Sequence, residues 1–355
     1  MAAMVRKPLP PWRQAGYTCP PDRPGRIVKN QGAIPMSGST HMTDDWIRER
    51  LRRLGMQPIP GPPVVWHDTR NYMSIERGQI IELAGDLFLV RGNEHEGRFG
   101  LDDQPKFWVK RALDLNTGKA HILKMVIKES FIVSVGPREV LCFRSAEKES
   151  KVLDLVRGDP RFMQGRTTCD ASGNPVRVID YIRAIDLLSY LHSLQVGHEQ
   201  YCHTLLPAIL AKVADNIAAL ARLHEAGICH GDIRNDHLLI ERETGSYKWI
   251  DFDLDQGFAD FDLWSVGNIL HCVVAKGFMT FRDALDTRPE LSGKLSHDDA
   301  SVFFPYRVMN LRKIHPYLPE KLNDVLLRFS FGARVGYDRI SQITDDLAEC
   351  ISYTC

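Results

Sequence analysis

From about Gly78 the apolar positions fall in short runs bounded by turn residues, the pattern of strands in a sheet. QIIELAGDLFLV, KFWVKRALDL and AHILKMVI each read as a strand, and NTGK between the last two supplies a turn. The period then lengthens. RSAEKESKVLDLV puts Val152, Leu153 and Val156 on one helical face, and VRVIDYI returns to a strand. Beyond it the chain is mainly helical. In LLPAILAKVADNIAALARLHEAG the residues Ile209, Val213, Ile217, Leu220 and Leu223 recur at helical spacing, and Gly227 supplies the stop. Upstream, TDDWIRERLRRLG predicts a short helix capped by Thr43. Asp44 and Asp45 suit its first turn, Ile47, Leu51 and Leu54 form its apolar stripe, and Gly55 ends it. PIPGPPV then reads as a stiff linker.

Composition narrows the class. Seven of the 20 prolines fall in the first 35 positions, so residues 1–41 read as a disordered tail. Lys plus Arg and Asp plus Glu both number 45, which leaves no global field to attract nucleic acid or a membrane surface. Eight cysteines are scattered singly without a CxxC pair, an argument against a zinc site or a disulfide framework and for a reducing, cytoplasmic setting. No apolar run reaches the length of a membrane span.

The candidate chemistry lies in residues whose types suit phosphate and metal. Lys124 ends the strand after the NTGK turn, and Glu149 lies in the helix that follows. Asp232, in CHGDIRNDHLLI, comes directly after the strongest helix and before an apolar strand, a position that suits a base or an orienting carboxylate. Arg234 puts a cation two residues on. WIDFDLD carries Asp251, Asp253 and Asp255, and Mg²⁺ prefers such oxygen ligands. Each feature alone has an ordinary reading, as a solvated lysine or an acidic loop. Their order and spacing together do not.

That ordered set resembles the protein-kinase-like superfamily. LHEAGICHGDIRNDHLLI is similar to its catalytic loop, WIDFDLD to its metal-binding segment, and DLWSVGNIL (262–270) to its buried anchor helix. The HGD and DFD forms lean towards aminoglycoside- and choline-type phosphotransferases, and DLWSVGNIL towards protein kinases. The resemblance covers roughly 79–350. It implies an α+β, two-lobed fold: a short helix and linker over 42–78, a small antiparallel-sheet lobe over 79–182 and a mainly helical lobe over 183–355. It further implies ATP between the lobes, with adenine against Asp180 to Ile182. Lys124 would hold phosphates with Glu149 as ion-pair partner, and Gly97 and Gly100 would form a phosphate loop. Asp251, with His237 or Asp253, would hold Mg²⁺ or Mn²⁺. Asp232 would orient the acceptor hydroxyl, Arg234 would balance charge, and Asp262 would tether the loop backbone.

Three departures qualify the resemblance. HEGRFG has His95 where the first loop glycine belongs, and LDDQP reads as an insertion before the next strand. His237 replaces the metal-binding Asn, and imidazole suits Mn²⁺ better than Mg²⁺. Asp262 follows Asp251 by only eleven positions, with no APE between them, which disfavours an extended-peptide substrate. The expectation is a phosphotransferase acting on a hydroxyl of a small molecule or a protein. The alternatives are a pseudokinase that binds nucleotide or a partner, and an adenylyl transferase. The aromatic and basic stretch within 271–320 is the candidate acceptor surface.

Overall fold

Ile47 and Leu51 lie one helical turn apart, and their burial decides where the chain begins to pack. In the computed structural model, which describes residues 44–98, 101–135, 138–256 and 260–352, they belong to α1 (Asp44–Arg53). Both close over Ile80, Leu87, Leu89 and Leu115, and Met56, Ile59 and Val65 join the same apolar cluster. Of the segment expected to be a linker, Ile59 packs against this cluster and most of the other residues are exposed. The tail expected at 1–41, the Thr43 cap and Gly100 lie outside the described residues.

The chain divides into two compact units. One runs to Met125 and takes back Thr167–Val176; the other holds Val126–Arg166 and the chain from Arg177. This division by contact falls elsewhere than the 182/183 boundary implied by the resemblance. In the first unit, β1 (Val65–Trp66) pairs parallel with β2 (Ile80–Leu83). An antiparallel run follows through β3 (Asp86–Arg98), β4 (Leu101–Asp114) and β5 (Ala120–Lys124). The pairing of β3 with β4 persists to Arg98 opposite Leu101. LDDQP, expected as an insertion, forms the start of β4 and pairs with β3 across register shifts. The returning segment is anchored by Asp170, whose Oδ2 accepts from the Thr69 amide at 2.6 Å and its hydroxyl at 2.8 Å. Lys110 on β4 is fully buried, donating from Nζ to Ile75 O and Asn93 Oδ1, each at 2.7 Å. Burial pushes its pKa down to about 8.

The second unit opens with a hairpin that the sequence reading passed over, β6 (Ser130–Val135) and β7 (Arg138–Arg144). The next helix, α2 (Ala146–Leu155), is the one expected there, and its Ser145 cap accepts from the Lys148 amide. Strands β8 (Gly165–Cys169) and β9 (Pro175–Asp180) carry the chain between the units. Cys169 is disulfide-bonded, against the expectation from the scattered cysteines. Three elements follow: β10 (Ala184–Asp186), α3 (Leu187–Ser193) and α4 (His198–Thr204). The long helix expected next is α5 (Leu206–Glu225), with Ile209, Val213, Ile217, Leu220 and Leu223 all buried. Strands β11 (Leu238–Glu241) and β12 (Tyr247–Trp249) form a small sheet with β10. Strand β13 (Leu254–Asp255) pairs instead with β7. The rest is helical: α6 (Asp260–Val274), α7 (Phe281–Thr287), α8 (Glu320–Leu327) and α9 (Ile340–Ser352).

Candidate active site

Gly227, at φ +70°, ends α5 and turns the chain into the loop that carries Asp232. That loop is held by its backbone. Asp262, fully buried on α6, accepts from the His230 amide at Oδ2 (2.7 Å) and from the Gly231 amide at Oδ1 (2.8 Å). His224 Nε2 lies 2.9 Å from the same Oδ2. Burial opposes ionisation of Asp262, and these contacts outweigh it, so its pKa lies below the ordinary aspartate value. The tethering role expected of Asp262 is what the geometry shows.

A second clamp comes from α2. Lys148 is buried and donates from Nζ to His230 O at 2.8 Å and to Leu254 O. Gly231, at φ +89°, passes so close beneath that a Cβ there would sit 2.1 Å from Leu254 O and 2.7 Å from Lys148 Nζ. His230 packs edge-on to Trp249 and against Phe252, and burial pushes its pKa down to about 3. It is therefore neutral, and its Nδ1 accepts from the Asp232 amide at 3.3 Å.

The two principal carboxylates meet at His237. Its Nδ1 lies 2.7 Å from the Asp232 carbonyl oxygen. A carbonyl only accepts, so Nδ1 carries a proton, and Nε2 is the ring's other polar atom. That Nε2 stands 3.5 Å from Asp251 Oδ2, while Nδ1 lies 3.6 Å from Asp232 Oδ2. Asp251 reaches this position with φ +65°, a left-handed backbone that is costly for a residue with a Cβ. An imidazole nitrogen and a carboxylate oxygen thus converge. Adjacent ligands on one octahedral ion at ~2.1 Å lie roughly 3 Å apart, so the pair fits a shared divalent cation with little movement. The donor chemistry fits as well, one nitrogen beside a carboxylate.

The neighbouring acids are already engaged. Arg144, at the end of β7, has Nη1 2.5 Å from Asp253 Oδ1 and 3.9 Å from Asp251 Oδ1, with Nε 3.0 Å from Glu129 Oε2. Burial disfavours this guanidinium, but Asp253 and Asp251 hold it firmly charged. Asp253, expected as a metal ligand, is thus the partner of a guanidinium. Glu149 is fully buried and pairs with Arg177 on β9 at 3.0 Å. Glu149, Asp251 and Asp253 nonetheless bring one oxygen each within 4.8 Å of one another.

Arg234 is exposed and forks onto Asp236, with Nε 3.0 Å from Oδ1. The Asp180 amide donates to Gln164 O at 2.9 Å as part of the strand ladder, which leaves it no backbone donor for an adenine; Ile182 follows the strand and is half-buried. Lys124 closes β5 with its side chain buried. Gly97 lies within β3, and the tip beyond it is outside the described residues. In the candidate acceptor stretch, Val308, Met309, Leu311 and Ile314 are core residues, and Arg307 is stacked between Phe278 at 4.0 Å and Phe304 at 4.2 Å. Arg144, Lys148 and Arg177 were missed in the sequence because basic residues in alternating or helical runs normally face solvent.

No family model matches the chain. It is similar to the serine/threonine-protein kinase cds1 of Schizosaccharomyces pombe, at 22% identity over 201 residues, 47% of this chain and 41% of that one. It is also similar to the probable serine/threonine-protein kinase fnkB of Dictyostelium discoideum, at 23% identity over 147 residues, 41% of this chain and 24% of that one. The chain has a protein-kinase-like fold. It spans less than half the length of the curated relatives it matches. Among solved structures it is similar to the PknI kinase domain of Mycobacterium tuberculosis, at 14% identity and a TM-score of 0.47, covering 78% of this chain and 99% of that one. The kinase-like loop, its Asp262 tether and the Asp232–His237–Asp251 cluster all lie in the second compact unit.

Proposed function

We propose that the chain is an ATP-dependent phosphotransferase that moves the γ-phosphate to a hydroxyl of a small molecule or a protein. The observation that carries this reading is His237, whose ring donates to the Asp232 carbonyl and turns its other nitrogen towards Asp251, 3.5 Å away. Asp251 and His237 would hold a divalent ion, which would supply positive charge against that of the phosphates.

This chain's own groups supply the remainder. Burial raises the Asp232 pKa above the ordinary aspartate value, which makes its carboxylate a better proton acceptor than an exposed aspartate. It orients the acceptor hydroxyl and takes its proton as that oxygen bonds to phosphorus and the bond to the ADP oxygen breaks. Asp262 and Lys148 keep the loop backbone rigid, so the carboxylate loses little by reorienting. Lys124 is the residue that the resemblance assigns to the α and β phosphates. The eleven-position interval from Asp251 to Asp262 favours a compact acceptor over an extended peptide.

The guanidinium beside Asp253 favours a second reading, a pseudokinase whose metal site has been partly neutralised. Labelled-phosphate transfer from ATP, assayed with Mg²⁺ and then Mn²⁺ beside an Asp232→Ala control, separates the two. Turnover that requires Asp232 supports the phosphotransferase. Absence of turnover with either metal, or turnover indifferent to Asp232, supports the binding module.

A further inference from the structure

We infer that Arg144 is a built-in cation that takes the place of one divalent ion, leaving this chain a single metal position, at Asp251 and His237. The inference deepens the proposed phosphotransferase and rests on it. Kinase-type sites use two ions, one of them held through the residue that His237 replaces. Three carboxylates converge beside it, Glu149, Asp251 and Asp253, each bringing one oxygen within 4.8 Å of the others. Two of the three are taken up by arginines, Glu149 by Arg177 and Asp253 by Arg144.

Arg144 is not a surface side chain that happens to fold inward. Its side chain is 4% exposed. The β7–β13 ladder sets Arg144 opposite Leu254, and the Ser145 amide donates to Asp253 O at 2.6 Å. The hairpin is therefore fastened to the chain on both sides of the Asp253 carboxylate. A guanidinium delivered by a backbone ladder cannot be displaced by an ion without unpairing strands. It also bears on Asp251 from the Oδ1 side at 3.9 Å, while His237 faces Oδ2 at 3.5 Å. One oxygen of Asp251 thus looks towards a fixed positive charge and the other towards an imidazole nitrogen. A second divalent ion would have to sit against the guanidinium and would be repelled by it. A single ion at the His237 side lies away from the guanidinium.

The test counts ions. The full chain is titrated with Mn²⁺, and free Mn²⁺ is followed by electron paramagnetic resonance, alone and with a saturating non-hydrolysable ATP analogue. We expect one chain-associated ion in both conditions, and its loss in Asp251→Asn. Zero ions without nucleotide, or two with it, overturns the inference. Arg144→Met is expected to take up a second ion with the analogue, and Arg144→Lys to remain at one; an unchanged count in a folded Arg144→Met overturns the inference. If Arg144→Met does not fold, the wild-type and Arg144→Lys counts decide. Failure of the analogue to bind while one Mn²⁺ binds counts against the phosphotransferase and leaves the single-ion assignment standing.

Discussion

Arg177 Nε lies 3.0 Å from Glu149 Oε2, and neither side chain is more than 1% exposed. The pair ties strand β9 to helix α2 across the second unit. Removing one partner leaves an uncompensated charge inside the protein, at a cost of about 3–5 kcal/mol. Glu149→Ala and Arg177→Ala should each lower stability by that order in urea unfolding. The double variant should lose clearly less than the sum. Additive losses would show that the two groups are not coupled.

Gly231 is the tightest point of the catalytic-type loop. Its φ of +89° and the 2.1 Å approach of Leu254 O leave no room for a methyl group. A substitution here carries both backbone strain and a backbone clash, so Gly231→Ala should cost more than the ~1 kcal/mol typical of a simple glycine replacement. Amide hydrogen exchange should show lost protection at 229–232 before the rest of α5 and α6 opens. Gly245→Ala, where the nearest atom to an added Cβ is Lys212 Nζ at 3.7 Å, is the control for φ alone.

Asp232 links function to stability with opposite signs. Burial raises its folded pKa above the unfolded value near ~4, so the folded chain keeps a proton that the unfolded chain has released. Stability from this group is therefore greatest at low pH and declines as pH rises through the interval between the two values. Asp232→Asn removes that decline and should raise the melting temperature at neutral pH. The same substitution should reduce turnover by about 10²–10⁴-fold, because the proton acceptor is gone. In the wild type, turnover should fall as pH drops through the raised pKa, above the range of an exposed aspartate. A melting temperature lowered by Asp232→Asn would contradict the sign of this argument.

The parts of this arrangement that were legible in the sequence are those fixed by local rules. The α5 stripe from Ile209 to Leu223 follows the helical repeat, and the Asp232, Asp251 and Asp262 spacing follows from loop and strand lengths. What was not legible depends on partners distant in sequence. Arg144 meets Asp253 across 109 positions and Lys148 meets His230 across 82. Nothing near Arg144 marks it as buried, since its hairpin exposes Ile132 and Leu141 while hiding a cation. Asp253 and Glu149 were matched to roles by position, and their arginine partners lie elsewhere in the chain, beyond the reach of a local motif.

The substitution of His for the metal-binding Asn has a physical logic that predicts its reversal. A histidine protonated at Nδ1 offers a donor at one end and a lone pair at the other, and a carboxamide offers the same two functions. At position 237 Nδ1 donates to the Asp232 carbonyl at 2.7 Å, and Nε2 faces Asp251. An asparagine can donate to the same carbonyl and present an oxygen where the ring presents nitrogen. Oxygen suits Mg²⁺, whereas nitrogen shifts preference towards Mn²⁺. His237→Asn should therefore lower the ratio of Mn²⁺- to Mg²⁺-supported turnover by about tenfold or more, while Asp232 remains essential. His237→Ala removes the ligand and the carbonyl's donor together, and should reduce turnover with both metals by roughly 10²–10³-fold, the scale of losing one positioned polar group. Parallel steady-state assays in the two metals read both effects. If the metal ratio is the same in wild type and His237→Asn, the ring does not touch the ion, and His237 serves only to hold the Asp232 backbone.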